Sequence, residues 1–449
     1  MSQKLACIIL AAGKGNRMKS ALPKPLHPVA GLPMVSHVVR AAEALTPEKI
    51  IVVIGNDGQQ VADTVKPHTT AMQTVPNGTG GAALAAKDAL AGFDGDILVI
   101  FGDTPMITPA SLQKMVDARR QLPAIGAVFS GIRPKDPAAY GRMMLDDDGT
   151  LKKIVEFKDA TAEEKKITLC NGGVVCADGA KLFDWLAQIG NDNAQGEYYL
   201  TDLPQIARKD NRQTLVVELP EEDVAGVNDR VELAHMERAM QQRLRKQHML
   251  NGVTLVDPET VYFSADTIVG QDTTIEPNVW FGTGVTLADN VTVKSSSYIE
   301  GADIAAGASI GPFARIRSGT RLGPDTLVGH FVEIKNTHMA KGAKAKHLSY
   351  LGDGDVGENV NIGAGTIFCN YDGYFKHKTK IGNGATIGAN TALIAPVTIG
   401  AGAYIGAGSA IYQDVKDNAL ALTRAPQLQK EGWAVEFRRK KMKEKAEKK

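Results

Sequence analysis

The feature that most constrains this chain is an aliphatic repeat of six. Val269, Ile275, Phe281, Leu287, Val293 and Ile299 fall at that spacing. After a slip of one residue Ile304, Ile310, Ile316, Leu322, Val328 and Ile334 continue it, and Ile381, Ile387, Leu393, Ile399, Ile405 and Ile411 resume it. A helix repeats near 3.6 and a strand at 2, so neither produces six. A hexapeptide solenoid does: each short strand turns one aliphatic inward, small residues and glycine make the corner, and three sides close one coil of a parallel β-helix. The 46 glycines and the 6% aromatic content suit such corners. The register breaks at about 335–355 and 369–380. A solenoid tolerates insertions as loops thrown out from a corner, so "KHLSYLGD" and "CNYDGYFKHKTK" are expected to be loops that carry chemistry.

The first half has another texture. "KLACIIL", "KIIVVIG", "DILVIFGD" and "AIGAVFS" read as buried strands alternating with helical patterns, the signature of an α/β domain with a mainly parallel sheet. From Asn228 the spacing of Leu233, Met236, Met240 and Leu244 is helical, with Asn228 or Asp229 as cap and Asn251-Gly252 as stop. The expected organisation is an α/β domain over 1–228, a helical linker over 229–252 and a β-helix over 253–449. "LACIILAAG" lacks a cleavage pattern and reads as a first strand, and no apolar run approaches a membrane span. Cys7, Cys170, Cys176 and Cys369 show no metal spacing, so reduced thiols in a cytoplasmic protein are expected. Net charge is +1, but the last 13 residues hold eight basic and two acidic residues, leaving an acidic body that argues against nucleic acid as partner.

One stretch, "LAAGKGNRMKSALPKPLH" from Leu10 to His27, is expected to turn from a strand into a helix and offer backbone N–H groups to a phosphate. It is no dinucleotide fingerprint, because Met18 stands where the third glycine belongs, and it has no Walker pattern. By shape alone a phosphate loop and a structural turn both remain open. The stretch resembles the signature L-A-A-G-x-G-x-R-M followed by P-K of sugar-nucleotide pyrophosphorylases. That resemblance implies that Leu10, Ala11, Ala12 and Gly13 lie against a nucleotide, that Arg17 meets its triphosphate and that Lys24 neutralises phosphate charge. An ionised sugar phosphate attacking an α-phosphorus needs positioning, cations and a metal, with no side-chain nucleophile. Asp103 of "FGD", beside Phe101 and Gly102, and Asn228 of "GVN" supply the two oxygen donors that Mg²⁺ typically takes.

Pyrophosphorylase-like half, helical linker and hexapeptide β-helix together resemble the bacterial bifunctional N-acetylglucosamine-1-phosphate uridylyltransferase/glucosamine-1-phosphate N-acetyltransferase family over nearly the whole chain. The resemblance implies a left-handed β-helix, a homotrimer, Mg²⁺, and the small-molecule substrates UTP, acetyl-CoA, glucosamine 1-phosphate and N-acetylglucosamine 1-phosphate. Carried over residue by residue, Gln73 with Gly78 and Thr79 recognises uracil; Gly141, Glu156 and Asn171 hold the sugar; Glu197, Tyr199 and Thr201 close over it. In the second half Arg317 and Lys335 take the substrate phosphate, Tyr350 and Asn361 surround the amino sugar with His347 as general base, and Glu333 is a candidate to orient that ring. Ala364, Asn370, Tyr371, Ala389, Ala407 and Arg424 line the acetyl-CoA groove. His330, inside a repeat, reads as structural, and His377 shares the second loop. Phe101, Gly81, Ser318 and Ala389 depart from the family's tyrosine, histidine, proline and serine, which implies altered affinities. Two other readings stand beside this one: a single-activity sugar-1-phosphate nucleotidyltransferase with a regulatory β-helix, and a non-catalytic scaffold, which would be expected to lack Arg17, Lys24 or Asp103.

Overall fold

The computed structural model describes residues 4–137 and 140–447, which form two compact units: Met1–Lys246 with Phe263–Asp266, and Gln247–Tyr262 with Thr267–Lys449. In the first, a sheet runs in the order Gln213–Glu218, Ile125–Ile132, Cys170–Asp178, Asp96–Phe101, Leu5–Leu10, Lys49–Ile54, Thr69–Met72. All the pairings along it are parallel except those of Cys170–Asp178, and a hairpin of Arg142–Leu145 and Leu151–Val155 extends it. Leu5–Leu10 and Ile125–Ile132 are buried along their whole length, as strands covered on both faces must be. The chain leaves Leu5–Leu10 toward one edge and returns on its other side at Asp96–Phe101. The switch point of the sheet therefore lies between these two strands, where open α/β sheets bind ligands.

The "AAGKGNRM" turn does not open an α-helix. Asn16–Met18 is a single 3₁₀ turn with Gly15 left-handed at φ 60°, and the first α-helix is Met34–Glu43. The chain folds back on its own Pro-Lys segment: a Cβ on Gly15 would lie 2.5 Å from Lys24 Cβ. The expected linker helix is Arg230–Leu250; Asp229 Oδ1 accepts the N–H groups of Val231 and Glu232 at its start, and Gly252 with φ 92° ends it.

The second unit is a parallel β-helix. Ile275, Val293, Ile310, Val328, Ala345, Ile362, Ile387 and Ile405 stack in register through one sheet, all buried. Residues 335–355 are no extruded loop. Glu333–Met339 pairs with Tyr350–Val356 from Glu333↔Tyr350 to Met339↔Val356, and Lys344–His347 takes its place in the other sheet. The inward positions are Ile334, Met339, Ala345, Leu351, Val356, Ile362 and Phe368, so two corners are one residue short and the spacing of six is lost while the coil continues. Residues 369–380 do contain a projection, with Tyr371, Tyr374 and Phe375 exposed.

Phe368 is fully buried at the coil from which that projection leaves. Phe368→Ala is expected to cost about 3–5 kcal/mol, read as a lower urea midpoint for the unfolding of the β-helix.

Candidate active sites

In the first unit Leu10 pairs with Phe101, so the segments that follow them emerge side by side. The Gly102 N–H donates to the Leu10 carbonyl at 2.9 Å, and a Cβ on Gly102 would sit 3.1 Å from that oxygen. Between these segments is a cavity of about 340 Å³ lined by Leu10, Ala11, Ala12, Gly13, Lys24, Gln73, Gly78, Thr79, Phe101 and Asp103, with Lys14, Pro76 and Glu197 among the others. Lys24 Nζ is ion-paired to Asp103 Oδ2 and donates to Asn228 Oδ1 at 3.0 Å. Two side-chain oxygens far apart in sequence thus converge on one positive charge, and oxygen donors of this kind are ones that Mg²⁺ takes. Arg17 is exposed on its 3₁₀ turn and does not line this cavity.

A second cavity of about 630 Å³ shares Thr79 and Glu197 with the first and is otherwise lined by Glu156, Phe157, Lys158, Gln195 and Tyr199. The Thr201 hydroxyl donates to Glu156 Oε1 at 3.2 Å, and the Asn171 N–H donates to the Gly141 carbonyl at 2.9 Å. A Cβ on Gly141 would come within 3.4 Å of Glu156 Oε2, which brings the expected sugar residues together. Burial raises the Glu156 carboxyl above the usual carboxylate range against the Thr201 hydrogen bond, with Asp159 and Asp202 adding to the rise. Reading the sequence missed Arg142. Its buried guanidinium donates to the Tyr140 and Lys165 carbonyls and lies 5.5 Å from the Phe157 ring, bracing this wall.

In the β-helix Arg317 donates to Glu333 Oε1 at 2.8 Å. Glu333 therefore serves the arginine and does not orient His347. Lys376, arriving from the projection, lies against Lys335; together with burial and Arg317 it holds Lys335 below the ordinary lysine range, against the pull of Asp353. Lys376 is the second residue that sequence reasoning missed, since only the fold brings it to Lys335. The projection is anchored by Asp353 at its base: Asn336 and Asn370 donate to its two oxygens at 2.6 and 2.5 Å. Tyr350 closes over the same strand, because a Cβ on Gly352 would lie 2.5 Å from its hydroxyl and 2.7 Å from Asn370 Nδ2. Three like charges held this close favour a bound polyanion.

His347 ends a coil strand at a corner. Its Nδ1 is 3.2 Å from Nε2 of His330, its neighbour in register, so His330 is a partner of this ring and more than a repeat filler. Asn361 is exposed on the same sheet, one coil on. His377 pairs with Asp372 at 2.7 Å inside the projection. The Ala364, Ala389 and Ala407 corners are stacked, Asn390 N–H donating to Ala364 O at 2.7 Å and Gly408 N–H to Ala389 O at 2.8 Å, and Arg424 donates to Ala407 O at 3.0 Å. Asn370 is buried at the base of the projection, and Tyr371 stands exposed with its hydroxyl on Gly373 O.

Residues 7–166 match the MobA-like NTP transferase domain, and residues 378–413 match the bacterial transferase hexapeptide (six repeats). A bifunctional protein GlmU of Paramagnetospirillum magneticum is 48% identical over 447 residues, covering 100% of this chain and 99% of that one. The chain belongs to the bifunctional GlmU family. Family members from Rhodospirillum rubrum and Jannaschia are 54% and 48% identical, with 97% of this chain and 97% and 96% of theirs covered. The GlmU resemblance therefore holds for both units, and the mainly parallel sheet and hexapeptide coils are where it placed them.

In the expected sugar-holding role Glu156 accepts from a hydroxyl more strongly as carboxylate than as acid, and its raised pKa brings protonation closer to neutral pH. Apparent KM for the sugar 1-phosphate in the UTP-dependent reaction is expected to rise as pH falls through that raised value, and Glu156→Gln should remove the acid limb. Steady-state kinetics from neutral pH downward check this.

Proposed function

We infer that the chain makes UDP-N-acetylglucosamine by two transfers at separate sites. In the β-helix an acetyl group passes from acetyl-CoA to the amine of glucosamine 1-phosphate, releasing CoA. In the α/β unit the phosphate of N-acetylglucosamine 1-phosphate attacks the α-phosphorus of UTP, releasing pyrophosphate. The observation that carries this reading is that one chain builds both a nucleotide cavity at a sheet switch point and a cluster of Arg317, Lys335 and Lys376 beside a histidine corner. Neither the single-activity reading nor the scaffold reading asks for the second of these, and the family's members are bifunctional by name.

For uridylyl transfer, Gln73 with Gly78 and Thr79 meets the base, and Leu10 to Gly13 pass along the nucleotide. Lys24 holds phosphate charge, Arg17 on its exposed turn is assigned to the triphosphate, and Gly141, Glu156, Asn171 and the Glu197–Thr201 segment hold the sugar. Asp103 and Asn228 would hold Mg²⁺, which when bound neutralises phosphate oxygens. Lys24, which bridges these two oxygens, would then have its ammonium available for the phosphate.

For acetyl transfer, Arg317, Lys335 and Lys376 bind the sugar phosphate and Tyr350 and Asn361 the sugar. The Ala364, Ala389, Ala407 and Arg424 column with Asn370 and Tyr371 receives acetyl-CoA. An amine attacks a thioester only when neutral, so a base must take its proton, and imidazole titrates in the right range. The His330 contact engages Nδ1 of His347 and leaves Nε2 for that proton. The substrates and the four free cysteines support a cytoplasmic enzyme; among the described residues no helix is long and apolar enough to cross a membrane.

Asp103→Asn is expected to remove most uridylyl transfer and leave acetyl transfer near normal. His347→Ala should lower acetyl transfer by roughly 10²- to 10⁴-fold and spare uridylyl transfer. Separate assays of the two half-reactions check both, and equal loss of both activities in either variant would break the assignment.

We also propose a homotrimer. Phe313 and Phe331 stack at 5.3 Å on successive corners while 51% and 57% exposed, and Leu348, 59% exposed, follows on the next coil beside His347. An apolar column of this kind is suited to cover by another copy. Light scattering is expected to give three times the chain mass, and Phe331→Glu should lower it; a monomer at micromolar concentration would overturn the proposal.

A further inference from the structure

The short helix Thr79–Leu84 carries glycines at 80 and 81, where helix propensity alone favours alanine. Gly80 is explained by its wall: a Cβ there would lie 2.9 Å from Ile189 Cδ1 and 3.0 Å from the Tyr198 carbonyl. Gly81 faces something else. A Cβ at this position would lie 1.9 Å from Asn77 Oδ1 and 2.6 Å from its Cγ, so the space that a side chain would fill is taken by the Asn77 amide.

That amide has a definite partner. Gln73 Nε2 is 3.1 Å from Asn77 Oδ1 and 3.1 Å from the Gly78 carbonyl. A backbone carbonyl only accepts, which fixes the nitrogen of the Gln73 amide on that side, and the atom of Asn77 that faces the same nitrogen must then be its oxygen. A primary amide nitrogen has two N–H groups, and both are used here. Toward the nucleotide cavity that it lines, Gln73 has only its carbonyl oxygen to offer.

We propose that Asn77, housed by the missing side chain of Gly81, is a positioning residue that sets the pyrimidine specificity of uridylyl transfer by making Gln73 an acceptor only. The proposal rests on the reading that Gln73 meets the base. Uracil presents a donor at N3 and satisfies that oxygen. Cytosine presents an acceptor at N3, which sets two lone pairs against each other, and reaches the oxygen through its exocyclic amine only if the ring slides. Removing the Asn77 oxygen takes away half of the hold on the Gln73 nitrogen, so the amide can turn and donate to cytosine N3, and the two bases become harder to tell apart. Asn77 acts through Gln73, so its effect is read in the ratio of kcat/KM for the two nucleotides.

The test compares full-length Gly81→Ala, Asn77→Ala, Asn77→Asp and Gln73→Ala with the parent chain. It measures kcat/KM for UTP and for CTP with N-acetylglucosamine 1-phosphate, Tm, and acetyl transfer as a control on the rest of the chain. Gly81→Ala expels the Asn77 amide while improving helix propensity, so its Tm should not fall. Its UTP-to-CTP ratio should drop about tenfold, the worth of one hydrogen bond in a partly buried site. Asn77→Ala should match it. Asn77→Asp, whose carboxylate still accepts from Gln73, should keep the parent ratio, which a purely structural role would not predict. If Gly81→Ala and Asn77→Ala keep the parent ratio while Gln73→Ala lowers it, the base reading stands and the Asn77 proposal is wrong. If Gln73→Ala also leaves the ratio untouched, Gln73 does not read the base and both fall together.

Discussion

Parallel strand pairing places almost everything that reacts in this protein. In the α/β unit the register Leu10↔Phe101 sets two strand ends abreast, so that a glycine loop and a carboxylate arrive at one cavity. In the β-helix the same kind of pairing, coil over coil, puts His330 on His347 and Glu333 beside Tyr350. A hydrogen-bonded ladder fixes neighbours to a fraction of an ångström while the outward side chains stay free to vary, which is what a positioned site needs. The two units share no fold, yet both obtain precision from backbone groups and chemistry from the residues just past them.

Charge is then arranged by neighbours that only the fold supplies. Lys24 is held between Asp103 and Asn228, residues far apart in sequence. Lys335 is kept uncomfortable by Lys376, whose position depends on Asp353 gripping Asn370 at the base of the projection. Burial tends to lift the Asp353 carboxyl, and the bonds from Asn336 and Asn370 together with the charges of Lys335 and Lys376 hold it below the usual range, so it remains an anion among cations. Under the proposed reading, a phosphate-bearing substrate supplies each of these cations with an anionic partner.

The period of six made the β-helix legible because burial on a flat-sided coil selects one residue in six for the interior. It misled at 335–355, where Met339 and Val356 each arrive five residues after the last inward side chain and Ala345 is too small to mark the interior. A missing beat in the pattern therefore looked like a loop. The nucleotide cavity was legible from the resemblance of "LAAGKGNRM" to a known signature, but the helix expected after it was not formed, because the close approach of Gly15 to Lys24 is a tertiary fact. Arg142, Lys376 and the His330 contact escaped for the same reason. Each is an ordinary residue in sequence that acquires its meaning from a partner 15 or more positions away or from burial.

The stacked corners at Ala364, Ala389 and Ala407, ending at Arg424, have a dimension as well as a chemistry. Neighbouring strands lie about 4.8 Å apart, so the column is graduated in equal steps by the backbone itself. Under the proposed reading it measures its ligand: a long, floppy acyl carrier laid along it has its far end registered by Arg424 and its acyl end delivered a whole number of coils away. Length thus becomes a selectable property of the carrier, read by counting turns of the solenoid and indifferent to the identity of the side chains between the two ends.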